Sequence, residues 1–115
     1  MAVTETYEYP IAGGAAPTAA QVRRFSAVIA VIEATAAGDL LATVTHNMAI
    51  SVADLAAGWP IVLFEPMLAD FYVKLPHVLT GGKTTNAVAI TMENAGGVAG
   101  DQVRVTVLRP HTRLR

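Results

Sequence analysis

Three histidines, His46, His77 and His111, are the side chains of this sequence best suited to acid–base chemistry or to metal binding. None of them stands at helical or hairpin spacing from another, so a shared metal site would need long-range contacts that no motif indicates. The nine acidic residues are scattered and form no pair spaced for general acid–base catalysis. We therefore interpret the histidines as polar residues at the boundary between core and solvent.

Two further stretches resemble catalytic motifs but lack their defining positions. The residues GGKTT at 81–85 are similar to the end of a phosphate-binding loop, but that motif needs a glycine where this chain has His77, and no helix pattern follows. We predict a loop at residues 80–85 instead. Ser51 lies outside any G-x-S-x-G elbow and is better explained as a helix cap. The sequence therefore predicts no enzymatic activity, no metal site and no cofactor.

Composition favours an assembling subunit. Of the 115 residues, 53% are hydrophobic and only 15% are charged, which is unusually few charges for the surface of a free monomer. Surface covered by neighbouring subunits explains this balance, and an alanine-rich coding bias is the alternative. A net charge of −1 provides no field that attracts nucleic acid or anionic membrane, so we expect neither as a direct partner. No cysteine is present, so disulfides and thiolate chemistry are excluded.

Short alternating segments separated by turn signals predict the fold class. Strands are predicted at 3–9, 40–46, 61–64, 71–75, 86–93 and 102–109, and the last has the clearest alternation, with three valines facing inward. We expect Pro76 to end the strand at 71–75 and Ile61–Phe64 to be a short buried strand. The sum is an all-β, antiparallel sandwich of about six to seven strands with one short helix and an extended N-terminal arm.

Residues 21–35 fit two structures. Thr18 followed by Gln21 resembles a helix capping box, whereas the dense β-branched residues at 28–32 favour a strand. We favour a long strand, buried on both faces near its centre, that forms a hairpin with the strand from Leu40 around residues 36–39. After that strand, Ser51 caps a predicted helix at 52–57, which Gly58 ends.

The two ends of the chain differ in charge. Residues 1–22 contain Glu5 and Glu8 without a basic residue, and residues 102–115 contain four arginines without an acid. A solvated basic tail explains the second group, and an acidic arm that meets the basic tail, within or between subunits, is the alternative. We predict an arm at residues 1–21 before a sandwich at residues 22–115. The candidate assembly contacts are Tyr7, Tyr9, Ile11, Arg109, Arg113 and Arg115.

Three segments carry a resemblance to a known class of domains. The residues VTHNM at 44–48, NAVAIT at 86–91 and GDQVRVTVLRPH at 100–111 are similar to the turn and strands of bacteriophage tail-fibre and other virion β-sandwich domains. Met48 and Ala49 stand where that turn has Leu and Gly. The resemblance covers residues 38–111. It implies a virion component, such as a capsid decoration protein, a neck or tail protein, or a fibre tip.

Some domains of that class resemble the H-type lectin fold, a six-stranded sandwich that forms trimers or hexamers and can bind sugars. We therefore predict a non-enzymatic phage-like virion structural protein, which forms a homo-oligomer and contacts other virion proteins such as the major capsid or a tail or neck protein. The alternative is a carbohydrate-binding module. Its candidate ligand contacts are His46, Asn47, Trp59 and Tyr72, although a tryptophan in the position of Trp59 is more often a core residue.

Overall fold

Seven strands form two antiparallel sheets around one core in the computed structural model of the chain, which describes residues 3–35, 40–67, 75–93 and 99–109. The predicted all-β sandwich is therefore confirmed. The elements are β1 (Val3–Tyr9), α1 (Ala19–Val22), β2 (Ala27–Ala34), β3 (Leu40–Thr45), α2 (Val52–Ala56), β4 (Ile61–Pro66), β5 (Leu75–Lys83), β6 (Ala87–Glu93) and β7 (Gln102–Leu108).

The strands are divided between a four-stranded sheet, in the order β1-β2-β7-β4, and a three-stranded sheet, in the order β3-β6-β5. Strand β2 pairs with β1 and β7, and β3 pairs with β6, so the hairpin predicted around residues 36–39 is wrong. Each of the two strands turns an apolar face to the core. Placing them in opposite sheets buries these two faces in one core, which a hairpin within one sheet would not do.

The core consists of alternate residues of the central strands, because successive side chains of a strand point to opposite faces. The inward positions of β7 are fully buried, as its alternation predicts, and so are those of β2 in the same sheet. The second sheet contributes the inward residues of β3 and β6. The largest fully buried apolar side chains are Ile32, Ile90, Val22, Val28, Val44, Val88, Val103, Val105 and Val107.

Residues 18–34 contain both structures that the sequence allows. A capping box starts α1: Thr18 Oγ1 accepts the Gln21 N–H at 3.2 Å, and Gln21 Oε1 accepts the Thr18 N–H at 2.9 Å. The strand begins only at Ala27. Its central residues alternate between buried and half-buried positions. The strand prediction is thus confirmed for residues 27–34 and wrong for residues 21–26, where the reciprocal cap and the burial of Val22 stabilise a helical turn.

Strand β5 contains residues that the sequence places in a loop. It runs through Pro76 to Lys83, so the predicted end at Pro76 and the predicted loop at residues 80–83 are both wrong. Val78 pairs with Ile90, and Lys83 pairs with Val88. Residues 79–82 therefore stand opposite Ala89 alone. This large bulge needs glycine at 81, where φ is +71°. The glycine pair that resembled a phosphate loop is thus explained by backbone geometry.

Helix α2 confirms the predicted cap. Ser51 Oγ accepts the Asp54 N–H at 3.1 Å, and the helix ends before Gly58, whose φ is +102°. Lys83 Nζ, at the end of β5, donates to the Gly58 carbonyl at 2.7 Å. A cation beside the final carbonyls of a helix is favourable, because these groups carry the negative end of the helix dipole. The contact also joins α2 to the three-stranded sheet.

Candidate functional site

His46 is a core residue. It is fully buried at the end of β3, so the prediction of a boundary position is wrong, and the ring has no exposed surface with which to contact a ligand. Its Nδ1 accepts the Met48 N–H at 3.0 Å. The next turn contains Asn47 and Ala49 at φ values of 55° and 53°. Ala49 therefore has a left-handed backbone at the position where the resembling turn has glycine.

Burial, and after it the positive charge of Arg109, lower the pKa of His46 from its ordinary value of 6.5 to about 4. The Thr84 carbonyl favours the charged ring, but Nε2 has no hydrogen-bond partner among the described residues. The ring is therefore neutral at pH 7, and Nδ1 acts as an acceptor. This arrangement holds the turn in place and presents no group to a substrate.

The other residues of the predicted ligand site are engaged in the fold or lie outside the described residues. Asn47 Nδ2 donates to the Pro17 carbonyl at 2.8 Å, which ties the turn to the segment before α1. Trp59 is half-buried and packs against the core, as its position at a strand start indicated. Tyr72 lies outside the described residues, as do Arg113 and Arg115 of the predicted assembly contacts. The structure does not bring a sugar-binding group together from His46, Asn47 and Trp59.

Strand β1 joins the two sheets through its inward side chains. Tyr7 is 3% exposed, and its hydroxyl accepts the Thr45 N–H at 2.8 Å. Glu5 makes a hydrogen bond with the backbone of Thr43, although burial raises the pKa of this carboxyl group. Thr43 and Thr45 belong to β3, the edge strand of the other sheet. Tyr7 is therefore a core residue of its own chain, which corrects its prediction as an assembly contact.

The Tyr7 hydroxyl gives a testable stability effect. We expect Tyr7→Phe to lower the free energy of unfolding by about 1–3 kcal/mol, because the Thr45 N–H loses its acceptor in a part-buried place. Tyr9→Phe is the matched control, since Tyr9 is 40% exposed, and we expect a change below about 0.5 kcal/mol. Urea unfolding followed by circular dichroism measures both. Equal losses of stability in the two variants would contradict the role of the Tyr7 hydroxyl as acceptor for the Thr45 N–H.

The remaining predicted assembly contacts divide between surface and core. Tyr9 and Ile11 are exposed, and the ring of Tyr9 lies edge-on to Phe25 with 5.5 Å between the ring centroids. Arg109 is half-buried, and its Nη2 donates to the Val22 carbonyl at 2.8 Å, so it fixes α1 against the end of β7. The division between an arm at residues 1–21 and a sandwich at residues 22–115 stays a prediction. Residues 3–9 nevertheless pair with β2.

The outer face of the four-stranded sheet exposes apolar side chains in two neighbouring rows. One row across this face consists of four residues, each paired with the next: Leu63 of β4, Thr106 of β7, Ile29 of β2 and Tyr9 of β1. The next row contains Ile61, Leu108 and Ala27. These two rows form the apolar part of the face, and the most exposed side chains of the region are Leu63 at 52%, Ile61 at 42%, Tyr9 at 40% and Phe25 at 36%.

Sequence reasoning missed this face because it treated 61–64 as a buried strand. Strand β4 is instead an edge strand that pairs with β7 and exposes Ile61 and Leu63, while Val62 and Phe64 pack on the core. Both faces of β4 are apolar in the sequence. Periodicity therefore could not show which face is buried within the chain, and the signal that remained was the excess of apolar residues itself.

A charged cluster borders the apolar rows. Arg104 of β7 contacts Glu8 through Nε at 3.1 Å and Glu65 through Nη1 at 3.0 Å, and these contacts raise the pKa of the arginine. Glu8 of the acidic N-terminal segment therefore pairs with Arg104 of the C-terminal segment within one chain. Gln102 donates to Glu33 at 2.6 Å on the same face. Because these ion pairs are exposed, they add little to the stability of the fold and mainly orient the side chains of Arg104, Glu8 and Glu65.

A cavity of about 360 Å³ lies between the edge of β1 and the three-stranded sheet. Among the described residues that line it, most are apolar and Glu5 is the one carboxylate. That carboxylate already bonds to the Thr43 backbone, so it is occupied in holding the sheets together. The lining residues are Val3, Glu5, Leu41, Ala42, Thr43, Leu79, Ala89 and Ile90.

Within the part of the chain that the structure describes, no three His, Asp or Glu side chains lie close enough together to hold a metal ion. Over the same residues, neither helix has the length and hydrophobicity that a membrane span requires. Comparison with known proteins found no matching family, no matching curated protein and no matching solved structure.

Proposed function

We propose that this chain is a non-enzymatic structural subunit, which assembles into a larger particle through the outer face of its four-stranded sheet. The observation that carries the proposal is the pair of apolar rows on that face, with Leu63 and Ile61 about half exposed. Large exposed apolar patches of this kind mark protein interaction sites. His46, one of the three histidines suited to acid–base chemistry, is instead buried in the fold.

A phage-like virion is the proposed setting, and the resemblance of residues 38–111 to virion sandwich domains supports it. In that setting the subunit is a capsid decoration protein or another small head, neck or tail component, made in the host cytoplasm and incorporated into the particle. Its partners are further copies of itself and other virion proteins, such as the major capsid protein or a tail or neck protein. Carbohydrate binding is not proposed, since His46 and Asn47 are hydrogen-bonded within the chain.

Quantitative mass spectrometry of purified particles from the native source tests this function. We expect the chain to copurify with the particles at a fixed copy number. Hundreds of copies per particle would place it on the capsid surface, and about a dozen or fewer would place it in the neck or tail. A chain that is produced in the same cells but is missing from purified particles would contradict a virion role.

A further inference from the structure

We propose that the cavity beside Glu5, the Glu5 pocket, binds residues 110–115 of a second copy of this chain, the basic segment. Leu114 of that copy enters the apolar part of the pocket, and a neighbouring arginine contacts the carboxylate. This inference rests on the proposed role as an assembly subunit, and it adds a contact separate from the outer face of the four-stranded sheet. It is carried by the lining of the pocket, by the sequence of the basic segment and by the distance between the two.

The Glu5 pocket has a volume of about 360 Å³ and combines apolar walls with one acid. Leu41 of β3 and Leu79 of β5 are 49% and 36% exposed, and Ala89, on the strand between theirs, has only a small side chain. Glu5 is exposed and is the one charged residue among the described residues of the lining. Its bond to the Thr43 backbone leaves acceptor capacity, because a carboxylate has about four lone-pair sites. The pocket therefore fits an apolar group with a positive charge beside it.

The basic segment, PHTRLR, has this chemistry in its sequence. Leu114 stands between Arg113 and Arg115, and the segment contains no acid. A guanidinium group binds a carboxylate through two parallel hydrogen bonds, and the stem of an arginine packs on apolar surface while its charged head stays in water. A leucine with an arginine next to it thus matches both the apolar walls and the carboxylate of the Glu5 pocket.

The Glu5 pocket lies too far from the basic segment of its own chain. The Arg109 N–H donates to the Ser26 carbonyl, whereas Glu5 pairs with Ile32, six residues further along the chain and on the opposite side of β2 from β7. At about 3.3 Å per residue and about 4.8 Å between strands, Glu5 is about 22 Å from Arg109. The leucines of the pocket lie beyond it, on the other sheet. Leu114 follows Arg109 by five residues, which span at most about 18 Å. A second copy must therefore provide the segment.

This contact joins copies head to tail. Each copy has one pocket and one basic segment, so repeated contacts build a ring or an open chain of subunits. A single leucine with its neighbouring arginine buries much less area than a standard stable interface, so we expect a dissociation constant of about 0.1–1 mM for one contact. Copies that are held together by several contacts on a particle associate more tightly.

Fluorescence polarisation tests the Glu5 pocket with a labelled, C-terminally amidated peptide of residues 110–115, titrated with the full chain up to 1 mM. We expect Leu41→Arg to weaken peptide binding at least tenfold, because it places a like charge in the pocket. Leu63→Arg is the matched control, since Leu63 is a leucine of similar exposure on the other sheet, and it should bind within twofold of the wild type.

The carboxylate has a matched pair of variants in the same assay. Glu5→Gln keeps an acceptor for the Thr43 N–H but removes the charge, and we expect at least threefold weaker peptide binding. Glu8→Gln removes a charge from the same strand on its other face and should leave binding unchanged. A wild-type chain that does not bind the peptide at 1 mM would overturn the assignment, as would equal binding by the Leu41→Arg and Leu63→Arg variants.

Mixing two variants of the full chain tests whether the partner is a second copy. Leu41→Arg blocks the pocket and Leu114→Asp blocks the basic segment, so in sedimentation velocity we expect each variant alone to associate at least tenfold more weakly than the wild type. An equal mixture has one intact pocket and one intact segment for each pair, so it should form a one-to-one dimer and no larger species. A mixture that associates no better than either variant alone would overturn the contact between copies.

These outcomes are distinct from those for the proposed function. A chain that copurifies with particles but does not bind the peptide keeps the function and loses the inference. A chain that binds the peptide through Leu41 but is missing from particles keeps the inference and loses the virion role.

Discussion

Gly82→Ala should be the most destabilising single methyl addition among the glycines described in this chain. A Cβ atom at residue 82 would lie 2.7 Å from the Ala89 carbonyl oxygen and 2.8 Å from the Leu79 carbonyl oxygen. Both are backbone atoms within the β5–β6 bulge, so neither can move without breaking the pairing of that edge. We expect the free energy of unfolding to fall by about 3 kcal/mol, as measured by urea unfolding.

Two other glycines make the measurement specific. Gly13→Ala has open space around the new methyl group and no positive φ, so a change below about 0.5 kcal/mol is expected. Gly81→Ala meets no atom within 4 Å but must hold a φ of +71°, which costs about 1–2 kcal/mol. The expected order of cost is therefore residue 82, then 81, then 13. A tolerated Gly82→Ala would show that the bulge has a different backbone.

Buried His46 should make the protein sensitive to mild acid. Its pKa is about 4 in the folded chain against an ordinary value of 6.5, so the unfolded chain binds the proton more strongly. The stability that neutral His46 contributes is complete above about pH 6.5 and is lost as the pH falls from about 6.5 to about 4. At about 1.4 kcal/mol per pH unit, the loss is roughly 3 kcal/mol over this range.

The variant His46→Asn isolates this effect, because an asparagine oxygen can accept the Met48 N–H but does not titrate. We expect it to be less stable at pH 7.5, owing to its smaller volume, and to lose much less stability than the wild type between pH 6.5 and pH 4. Glu5 works in the opposite direction, since its raised pKa favours the folded state at lower pH. His77→Asn, at an exposed position of β5, is the control. An unchanged pH profile in His46→Asn would refute the assignment.

The sequence predicts this fold where the signal is local. Alternation in β7 identifies the inward residues Val103, Val105 and Val107, and Ser51 identifies the start of α2. Pairing between distant strands leaves no such signal. Nothing local shows that β2 pairs with β7 rather than with β3, because any apolar strand face gains the same burial from either arrangement. The bulge in β5 was missed for a related reason, since Gly81 and Gly82 are typical of loops as well as of bulged strands.

The candidate site was harder to predict than the fold. The resemblance centred on His46 and Asn47 points to a turn that the structure buries, whereas the face with the exposed apolar rows contains ordinary strand residues such as Leu63 and Thr106. Their role depends on which side of a strand faces the solvent. That property follows from sheet order, and sheet order follows from contacts across the whole chain.

Strand β1 covers one strand of each sheet that would otherwise lie at an open edge. Its backbone completes the ladder of β2, and its Glu5 and Tyr7 side chains occupy backbone groups of β3. Detachment of these seven residues would therefore leave backbone groups of both β2 and β3 unpaired. Such groups can form hydrogen bonds with a strand of another chain. A proteolytic cut soon after Tyr9 would therefore be expected to promote uncontrolled polymerisation through β2 and β3.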